Sequence, residues 1–495
     1  MKRKIAMLLS IFLLLQLCSC AEKEPDAPAE TENTIVEISR GDTGEDTNKL
    51  AASAVAYTDS FQSADGSVNV EINLEDTSLY EGSFRTLQIT PRPFTEEEVQ
   101  HIARVLFGDA VLYEFINDRE ATKTELLEQR EVLETLLEGD ALKEVFNTED
   151  VDDEKEIIRS YLDTHKVEDA PESVERTACE FQYKPWDCYH NNAPGLTSEG
   201  YLEISAQTEV EGIPYRFGAV NNTNNGVRVY RISAFVANEI IWPLGLGEIM
   251  ACDEILGKEE PKQDQIDAVR EKAEKIIAAM DMGQWQIDSC EVSKYGDRYA
   301  IEVKAVPVYN GIPMLRQAQL SYLRGTEEGI QNCYNPELNI TFSPDGTLYY
   351  FEMVTPVDIT AAGEEGKTMS FAELMGSIKT RFSQTSATDL PDGNRYADAV
   401  VSDIQLGYAM VPVNSGDNEH IQLPGVNGDT LVVNNSDFVL IPAVTVYGNY
   451  QTYLNTPEEN AFDYRKIYGR DALFAVLDAS NGSMIAPANS NMILG

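Results

Sequence analysis

Histidine, cysteine and basic residues are scarce in this sequence. The chain of 495 residues has four histidines and seven cysteines, and its 38 lysines and arginines face 83 aspartates and glutamates, which gives a formal net charge of −45. Nucleic-acid binding requires basic patches that displace counterions from phosphates. The charge therefore excludes nucleic acid as a partner, and its simplest role is to keep the chain soluble.

Motifs for catalysis and metal binding are also missing. The sequence has no Gly-x-Ser-x-Gly, Ser-x-x-Lys or Lys-Thr-Gly motif, and no His-Glu-x-x-His or Cys-x-x-Cys spacing. Cys188 lies two residues from His190, which is weak support for a cysteine peptidase. Carboxylates are so numerous that no pair can be singled out as a glycosidase site. We therefore predict no catalytic residue, metal or cofactor, and keep a hydrolase with an unrecognised carboxylate site as an alternative.

Apolar runs long enough to cross a membrane are absent after the first twenty residues. Basic residues at positions 2–4 precede an apolar stretch at 5–17, which is shorter than the roughly 20 residues that span a bilayer. The stretch ends in Leu17-Cys18-Ser19-Cys20, which resembles the lipobox of bacterial lipoproteins, although alanine or serine is commoner at the position of Cys18. The resemblance implies cleavage of a signal peptide, residues 1–19, and diacylation of Cys20. The lipid would anchor the chain on the extracytoplasmic face of the cell membrane; an ordinary secretory peptide or an uncleaved anchor is the alternative.

Five further cysteines are too few, and odd in number, for a scaffold built on disulfides. Cys179 and Cys188 could close a short loop, or both could be isolated buried thiols. The sequence leaves both arrangements open.

Composition divides the rest of the chain into a tether and three domains. Residues 20–55 are rich in Glu, Asp, Pro, Ala and Thr and have few large apolar side chains, so we predict a disordered acidic tether. The predicted domains are an N-terminal α+β domain at 56–250, a helix-plus-meander domain at 260–356 and a C-terminal helix-plus-meander domain at 368–495.

Capping boxes mark the starts of three predicted helices, each ahead of an apolar stripe. They are Thr95 with Glu98, Thr122 with Glu125 and Ser370 with Glu373. Further helices are predicted at Glu154–Leu162 and Gln263–Met282, the second ending before Gly283.

Alternation of apolar and polar residues predicts the strands. They are Ser67–Leu74, Phe84–Thr90, Trp285–Val292, Tyr299–Val306, Ile312–Leu323, Glu337–Phe342, Leu348–Val354, Ala399–Val413, Phe438–Tyr447, Ala472–Leu477 and Met484–Ala486. The turn Ser343-Pro344-Asp345-Gly346 predicts a hairpin between two of them. Val210–Pro214 resembles Tyr309–Pro313 at a separation of 311 − 212 = 99 residues, which suggests an internal duplication.

These patterns indicate an α+β fold. We predict repeated units of a helix packed on an antiparallel β-meander, with an acidic helical region in the N-terminal part. Each helix would cover one face of a sheet.

Several of these residues carry a family resemblance. They are the helix start at Phe94–Val99, the two Gly-Ile-Pro hairpins, and Leu440–Ala443 followed by Leu473–Ile485. The body of the chain resembles a family of uncharacterised lipoproteins of Clostridia-type Gram-positive bacteria. The last arrangement is also similar to PepSY-like modules in membrane-anchored accessory regulators of cell-wall-sensing histidine kinases. Those modules have no catalytic or cofactor residues to transfer, so the resemblance implies a fold and a regulatory setting only.

The leading functional hypothesis is a non-catalytic extracytoplasmic lipoprotein that binds or regulates another envelope protein through its sheet faces or edges. The first alternative is a lipoprotein that binds wall glycan or peptide. Tyr183, Trp186 and Tyr189 are the candidate ligand-binding residues for it, because exposed aromatic rings beside amides can stack on sugars. The same rings could instead pack as a satellite of the core.

Overall fold

The computed structural model describes residues 36–37, 51–81, 83–115, 121–139, 142–143, 151–185, 201–222, 229–237, 255–295, 298–309, 311–315, 330–331, 336–354, 356–387, 390, 393–412, 421–424, 430–433, 438–468 and 472–486. Several residues singled out in the sequence lie outside these ranges, among them Cys20, Trp186, Cys188, Tyr189 and His190. In the described part of the chain, no helix is both long and apolar enough to cross a membrane.

The helices have the following bounds. They are α1 Glu96–Phe107, α2 Lys123–Leu137, α3 Asp152–Thr164, α4 Gln263–Met280, α5 Phe371–Gln384 and α6 Tyr464–Tyr468. Short 3-10 turns occur at Val167–Asp169 and Pro457–Glu459.

The strands of the first half of the chain are β1 Val36–Glu37, β2 Ala51–Gln62, β3 Val68–Glu81, β4 Ser83–Pro91, β5 Tyr113–Glu114, β6 Lys184–Pro185, β7 Tyr201–Val210, β8 Ile213–Asn222 and β9 Val229–Val236. The strands between α4 and α5 are β10 Trp285–Tyr295, β11 Arg298–Tyr309, β12 Ile312–Pro313, β13 Ile330–Gln331, β14 Glu337–Phe342, β15 Leu348–Val354 and β16 Val357–Lys367. The remaining strands are β17 Tyr396–Pro412, β18 Ile421–Pro424, β19 Thr430–Val433, β20 Phe438–Tyr453, β21 Asn460–Asp463, β22 Ala472–Asp478 and β23 Met484–Ala486.

All three predicted capping boxes are confirmed. Thr95 Oγ1 accepts a hydrogen bond from Glu98 N at 3.2 Å, and Glu98 Oε2 accepts one from Thr95 N at 2.8 Å. The same reciprocal pair caps α2 and α5. Helix α4 ends at Met280, earlier than predicted, because Asp281 adopts a left-handed conformation with φ of 50°.

Sheet A contains ten strands drawn from both ends of the chain. Its path runs β1-β16-β4-β20-β17-β3-β2, and β21, β22 and β23 are attached along β20 and β22. Its described pairs are antiparallel except β3 with β17, which is parallel with Val68 opposite Ala397. Strands so distant in sequence are not joined by a hairpin, so no short turn dictates their direction. Apolar residues of α5, including Ile378 and Phe382, pack on one face of this sheet.

Sheet B also contains ten strands. Its path runs β10-β11-β14-β15-β9-β8-β7-β5, with β12 paired to β11 and β6 to β7, and its described pairs are antiparallel. Helices α1 and α4 lie together on one face, where Val99 and Phe107 share a core with Val269 and Met280. The predicted α+β class with antiparallel sheets is therefore confirmed. A small third sheet joins β13, β19 and β18.

Sheet membership crosses the predicted domain segments. Strands β2 to β4, from the predicted N-terminal domain, lie in sheet A with β17 and β20 of the predicted C-terminal domain, while β7 to β9 lie in sheet B with β10 to β15. The first five residues of β2, Ala51–Val55, fall within the segment predicted as a tether. Strand β1 also lies in that segment and pairs with β16. The boundaries themselves stay predictions.

A hairpin segment of sheet B reaches into sheet A. Leu315 N donates to Tyr408 O at 2.9 Å, and Met314 forms a parallel bridge with Tyr408. A Cβ atom on Gly407 would lie 2.6 Å from Leu315 Cδ2, so glycine is required for this approach. The strand predicted at Ile312–Leu323 thus stops at Pro313 in β12, because the chain turns toward sheet A; residues 316–329 lie outside the described ranges.

The turn between β2 and β3 is organised by Asp65. Its Oδ1 accepts hydrogen bonds from Ser67 N at 2.9 Å and Ser63 Oγ at 2.8 Å, and Gly66 has a φ of 73°. Its Oδ2 accepts from Ala387 N at 3.0 Å, just beyond the end of α5. The turn therefore joins sheet A to the segment that follows its covering helix.

The predicted hairpin between β14 and β15 is confirmed and uses the same turn. Asp345 Oδ1 accepts from Thr347 N at 3.0 Å and from the Ser343 hydroxyl, and Gly346 has a φ of 88°. Gln265 Nε2 of α4 donates to Pro344 O at 3.0 Å. The two turns have the same chemistry, and each connects a sheet with the helix region above it.

A pair of acidic helices, α2 and α3, stands beside these sheets. Leu133, Leu136 and Ile158 form a small core of their own. Tyr161 Oη donates to Gln129 Oε1 at 2.8 Å between the two helices. The helices predicted in this acidic region are confirmed.

Candidate binding face on sheet B

Alternate residues of sheet B point either to the helices or away from them. On β9, Tyr230, Ile232 and Ala234 belong to the helix-covered core, so the residues between them lie on the opposite face. We call this opposite face the charged face and define it by Glu203, Arg216, Arg231, Glu352 and Phe115. These residues come from β7, β8, β9, β15 and the end of the segment that carries β5.

An ion pair joins the two central strands of the charged face. Arg231 Nη1 lies 3.3 Å from Glu352 Oε1, and their side chains are 45% and 19% exposed. Strands β9 and β15 pair with Ser233 opposite Glu352, so the arginine reaches diagonally to the acid. Half of the arginine thus remains available to a partner while its position is held by the carboxylate.

A second arginine is fixed by an aromatic ring. Arg216 Cζ lies 3.6 Å from the centre of the Phe115 ring, a cation–π contact. Phe115 N donates to Ser205 O at 3.1 Å, which extends the edge of the sheet by one residue beyond β5. Stacking on Phe115 therefore helps to hold the guanidinium in position.

Glu203, which neighbours these arginines, has a raised pKa. Burial raises the pKa, and the positive charge of Arg216 offsets part of that rise. Burial also raises the pKa of Tyr201, with Glu203 adding to the rise and Arg231 opposing it. The four groups thus form one coupled, partly desolvated array across three neighbouring strands.

One buried acceptor on this face has no hydrogen-bond partner in the described part of the chain. It is Asn339 Oδ1, on β14 between Lys304 of β11 and Glu352 of β15. A buried carbonyl oxygen without a donor is unfavourable by about 1–3 kcal/mol.

The structure places only one of the three predicted aromatic binding residues. The Tyr183 ring packs against the core of sheet B, its hydroxyl is buried without a partner among the described residues, and its backbone N donates to Glu96 Oε1 at 3.1 Å. Burial raises the pKa of this hydroxyl. Tyr183 therefore fits the core-packing alternative. Trp186 and Tyr189 lie outside the described residues, and binding by them stays a prediction.

Cysteines and histidines form no candidate centre in the described ranges. Cys179 and Cys290 are free thiols, half-buried beside the core, and burial raises the pKa of both. The free thiol of Cys179 fits the alternative of isolated thiols, and Cys188 lies outside the ranges described. His101 is exposed on α1 and contacts Ala279 O at 2.9 Å. Among the residues that are described, no group of three His, Cys, Asp or Glu side chains could hold a metal ion.

The charged face was not predicted from the sequence. Its signal is a charged residue in a strand whose neighbours on both sides belong to the core, as with Arg231 between Tyr230 and Ile232. That pattern is common to every half-exposed strand. Only the order of the strands brings Arg216, Arg231 and Glu352 together.

Two solved structures align with the chain. An uncharacterised protein from Eubacterium rectale aligns over 85% of this chain and 91% of its own, with 11% identity and a TM-score of 0.35. The C-terminal domain of YpeB from Bacillus megaterium aligns over 57% of this chain and 87% of its own, with 8% identity and a TM-score of 0.23. No protein-family model and no curated protein match the sequence. At these TM-scores the similarities define neither the family of the chain nor its function.

Proposed function

We propose that this chain is a non-catalytic lipoprotein of the extracytoplasmic membrane face, which binds another envelope protein through the charged face of sheet B. The observation that carries the proposal is the arrangement of Arg216 and Arg231 beside Glu203 and Glu352, partly desolvated and held in place. Fixed charges of both signs give an interface its specificity and register. In a chain with a net charge of −45, two positioned arginines on one sheet face favour a partner that presents carboxylates.

We further propose that sheet B consists of two helix-on-meander units of PepSY-like type. One unit is α1 with β7, β8 and β9, and the other is α4 with β10, β11, β14 and β15. The units would join where β15 pairs with β9, with Phe351 opposite Ala234. The Gly-Ile-Pro turns support this duplication, since Gly212 and Gly311 have similar φ values of 82° and 77°.

Anchoring through Cys20 completes the proposal. Metabolic labelling with an alkyne fatty acid should mark the wild-type chain and leave Cys20→Ala unlabelled. Equal labelling of both chains would contradict lipidation at Cys20, and would leave binding by the charged face as a separate question.

Site-specific photocrosslinking in intact cells tests the binding proposal. A benzoylphenylalanine at Phe235, which lies on the charged face between two core residues of β9, should give one reproducible adduct with an envelope protein. The same label at Leu127, 56% exposed on α2, is the control and should not give that adduct. Arg231→Glu should abolish the adduct.

A matched charge reversal completes the design. Arg159→Glu on the exposed side of α3 makes the same change in net charge and should leave the adduct intact. If Arg231→Glu retains the adduct, or if Leu127 gives it equally well, the charged face is not the docking surface.

A further inference from the structure

The end of sheet A farthest from sheet B has an exposed polar face. On β17, Ala397 and Ala399 pack under α5, so Tyr396 and Asp398 lie on the opposite face. Tyr396 begins β17, whereas Tyr408 at the junction with sheet B lies 408 − 396 = 12 residues later, roughly 40 Å along an extended strand. The surface is therefore separate from the junction between the sheets.

A row of amides and carboxylates crosses five neighbouring strands of this face. Gln62 Nε2 donates to Asn69 Oδ1 at 2.8 Å, and Asn69 Nδ2 donates to Asp398 Oδ1 at 2.7 Å. Gln451, opposite Asp398 in register, donates through Nε2 to Asp463 Oδ2 at 2.9 Å. Five strands spaced about 4.8 Å apart make this polar ladder about 19 Å wide.

A stacked pair of tyrosines borders the polar ladder. The rings of Tyr396 and Tyr453 are nearly parallel, with an interplanar angle of 19° and centres 5.8 Å apart. Tyr453 is 6% exposed and its hydroxyl donates to Asp398 Oδ1 at 3.3 Å, so the lower ring is fixed. Tyr396 is 40% exposed. One side of its ring rests on Tyr453 and the outer part is open to solvent.

We propose that the polar ladder and Tyr396 bind a chain of neutral pyranose sugars. A fixed, half-exposed aromatic ring offers a flat apolar surface to the C–H groups of a sugar ring. Amide and carboxylate side chains both pair with sugar hydroxyls, since amides donate and accept while carboxylates accept. The ladder offers such groups in a row, as a ligand with many hydroxyls along one axis would use them.

Negatively charged side chains at this surface disfavour anionic ligands. Asp398 and Asp463 lie in the ladder, and Glu71 is exposed on the same face of β3, one step from Asn69. Like charges placed opposite one another are unfavourable, so phosphate polymers and acidic polysaccharides are disfavoured. This site lies on a different sheet from the charged face, and either proposal can fail without the other.

Calorimetric titration of the full chain with cellohexaose and with the hexasaccharide of N-acetylglucosamine tests the inference. At least one should bind, and Tyr396→Ala should weaken that binding at least tenfold. Tyr396→Phe keeps the ring and should stay within about threefold of wild type, equivalent to less than about 0.7 kcal/mol. Asn69→Ala should weaken binding several-fold because it interrupts the ladder.

Tyr295→Ala is the matched control, because Tyr295 is 39% exposed on sheet B and lies outside the ladder. It should bind the sugar as wild type does, and unchanged circular dichroism of the variants separates lost binding from lost fold. Three results would overturn the inference: no binding of either hexasaccharide at millimolar concentration, full binding by Tyr396→Ala, or stronger binding of polygalacturonate than of both neutral probes.

Discussion

The backbone amide of Leu315 donates a 2.9 Å hydrogen bond to the carbonyl oxygen of Tyr408 and so connects sheet B to sheet A. The Tyr408 hydroxyl in turn donates to Arg85 O at 2.9 Å on β4. A core of buried apolar side chains from both sheets surrounds these two hydrogen bonds. It includes Phe84, Leu87, Val306, Ile312, Met314 and Leu440. The two sheets are thus packed together by buried apolar side chains as well as by main-chain pairing.

Gly407→Ala should weaken this junction. The added methyl would lie 2.6 Å from Leu315 Cδ2 and 2.8 Å from Pro313 O, and overpacking of this kind costs about 1–3 kcal/mol. Chemical denaturation should show a lower midpoint. Gly376→Ala, on the exposed side of α5 with no neighbour within 4 Å of the new Cβ, is the control and should stabilise the chain by about 0.5–1 kcal/mol. Equal midpoints for the two variants would contradict the close approach at Gly407.

Arg231→Ala should leave the free energy of unfolding within about 1 kcal/mol of wild type, because an ion pair in which the arginine is 45% exposed contributes little. The variant should nevertheless lose the crosslinked partner. Denaturation with urea measures the first quantity, and the Phe235 adduct measures the second. A large loss of stability would mean that the ion pair is structural rather than part of a docking surface.

Glu203→Gln should make the fold more stable at neutral pH and have no effect in acid. Burial raises the pKa of Glu203 above its usual 4.5, so the folded state disfavours the ionised form. The stability that this group contributes is complete below its usual pKa and is lost as pH rises through the raised value. We expect the melting temperature of Glu203→Gln to exceed that of wild type at pH 7 by no more than about 2 °C, and to match it near pH 4.

The control for this substitution is Glu209→Gln, which lies on the same strand and face but is exposed. Its melting curve should follow that of wild type at both pH values. A stabilisation of Glu203→Gln that persists in acid would show that the effect does not arise from ionisation.

Asp65→Ala should destabilise the chain at neutral pH. Hydrogen bonds from the Ser67 hydroxyl and backbone, followed by those from Ala387 and Ser63, lower the pKa of Asp65 well below its usual 3.8. The stability that Asp65 contributes is therefore present at pH values above its usual pKa. It is lost as the pH falls toward the lowered pKa of the folded state. The difference in melting temperature between Asp65→Ala and wild type should therefore shrink below pH 3.8.

Asp345→Ala changes the equivalent turn of sheet B, between β14 and β15, where a hydrogen bond from Ser343 likewise lowers the pKa of Asp345. This variant should show the same loss of melting temperature at neutral pH and the same pH trend as Asp65→Ala. Asp109→Ala, at an exposed position after α1, should show neither. If all three variants melt alike, the two turns do not carry the stability assigned to them.

Local signals in the sequence predicted local structure well. The capping box at Thr95 and Glu98 depends on four consecutive residues, and the turn at Ser343–Gly346 depends on a fixed order of side chains. Both therefore appear in the structure as predicted. Strand β2 was missed because Ala51–Gln62 alternates weakly and begins in acidic, alanine-rich sequence.

Relations between distant strands could not be predicted. Period-two patterns show which side of a strand is apolar but not which strand lies beside it, so the parallel pairing of Val68 with Ala397 left no trace in either segment. The candidate surfaces depend on those relations. Tyr396 has no special neighbour in sequence, and it becomes notable only because Tyr453 lies beneath it and Asp398 beside it.

The composition of sheet A dictates the order in which the chain can complete its fold. Asn69 and Asp398 are hydrogen-bonded across 329 residues. Strand β3 can pair early with β2, but its second neighbour exists only after Tyr396–Pro412 has been synthesised. Closing so large a loop makes the assembly of sheet A slow and leaves one edge of β3 unpaired until β17 is present. Any truncation before Tyr396 would therefore leave β3 without its parallel neighbour β17.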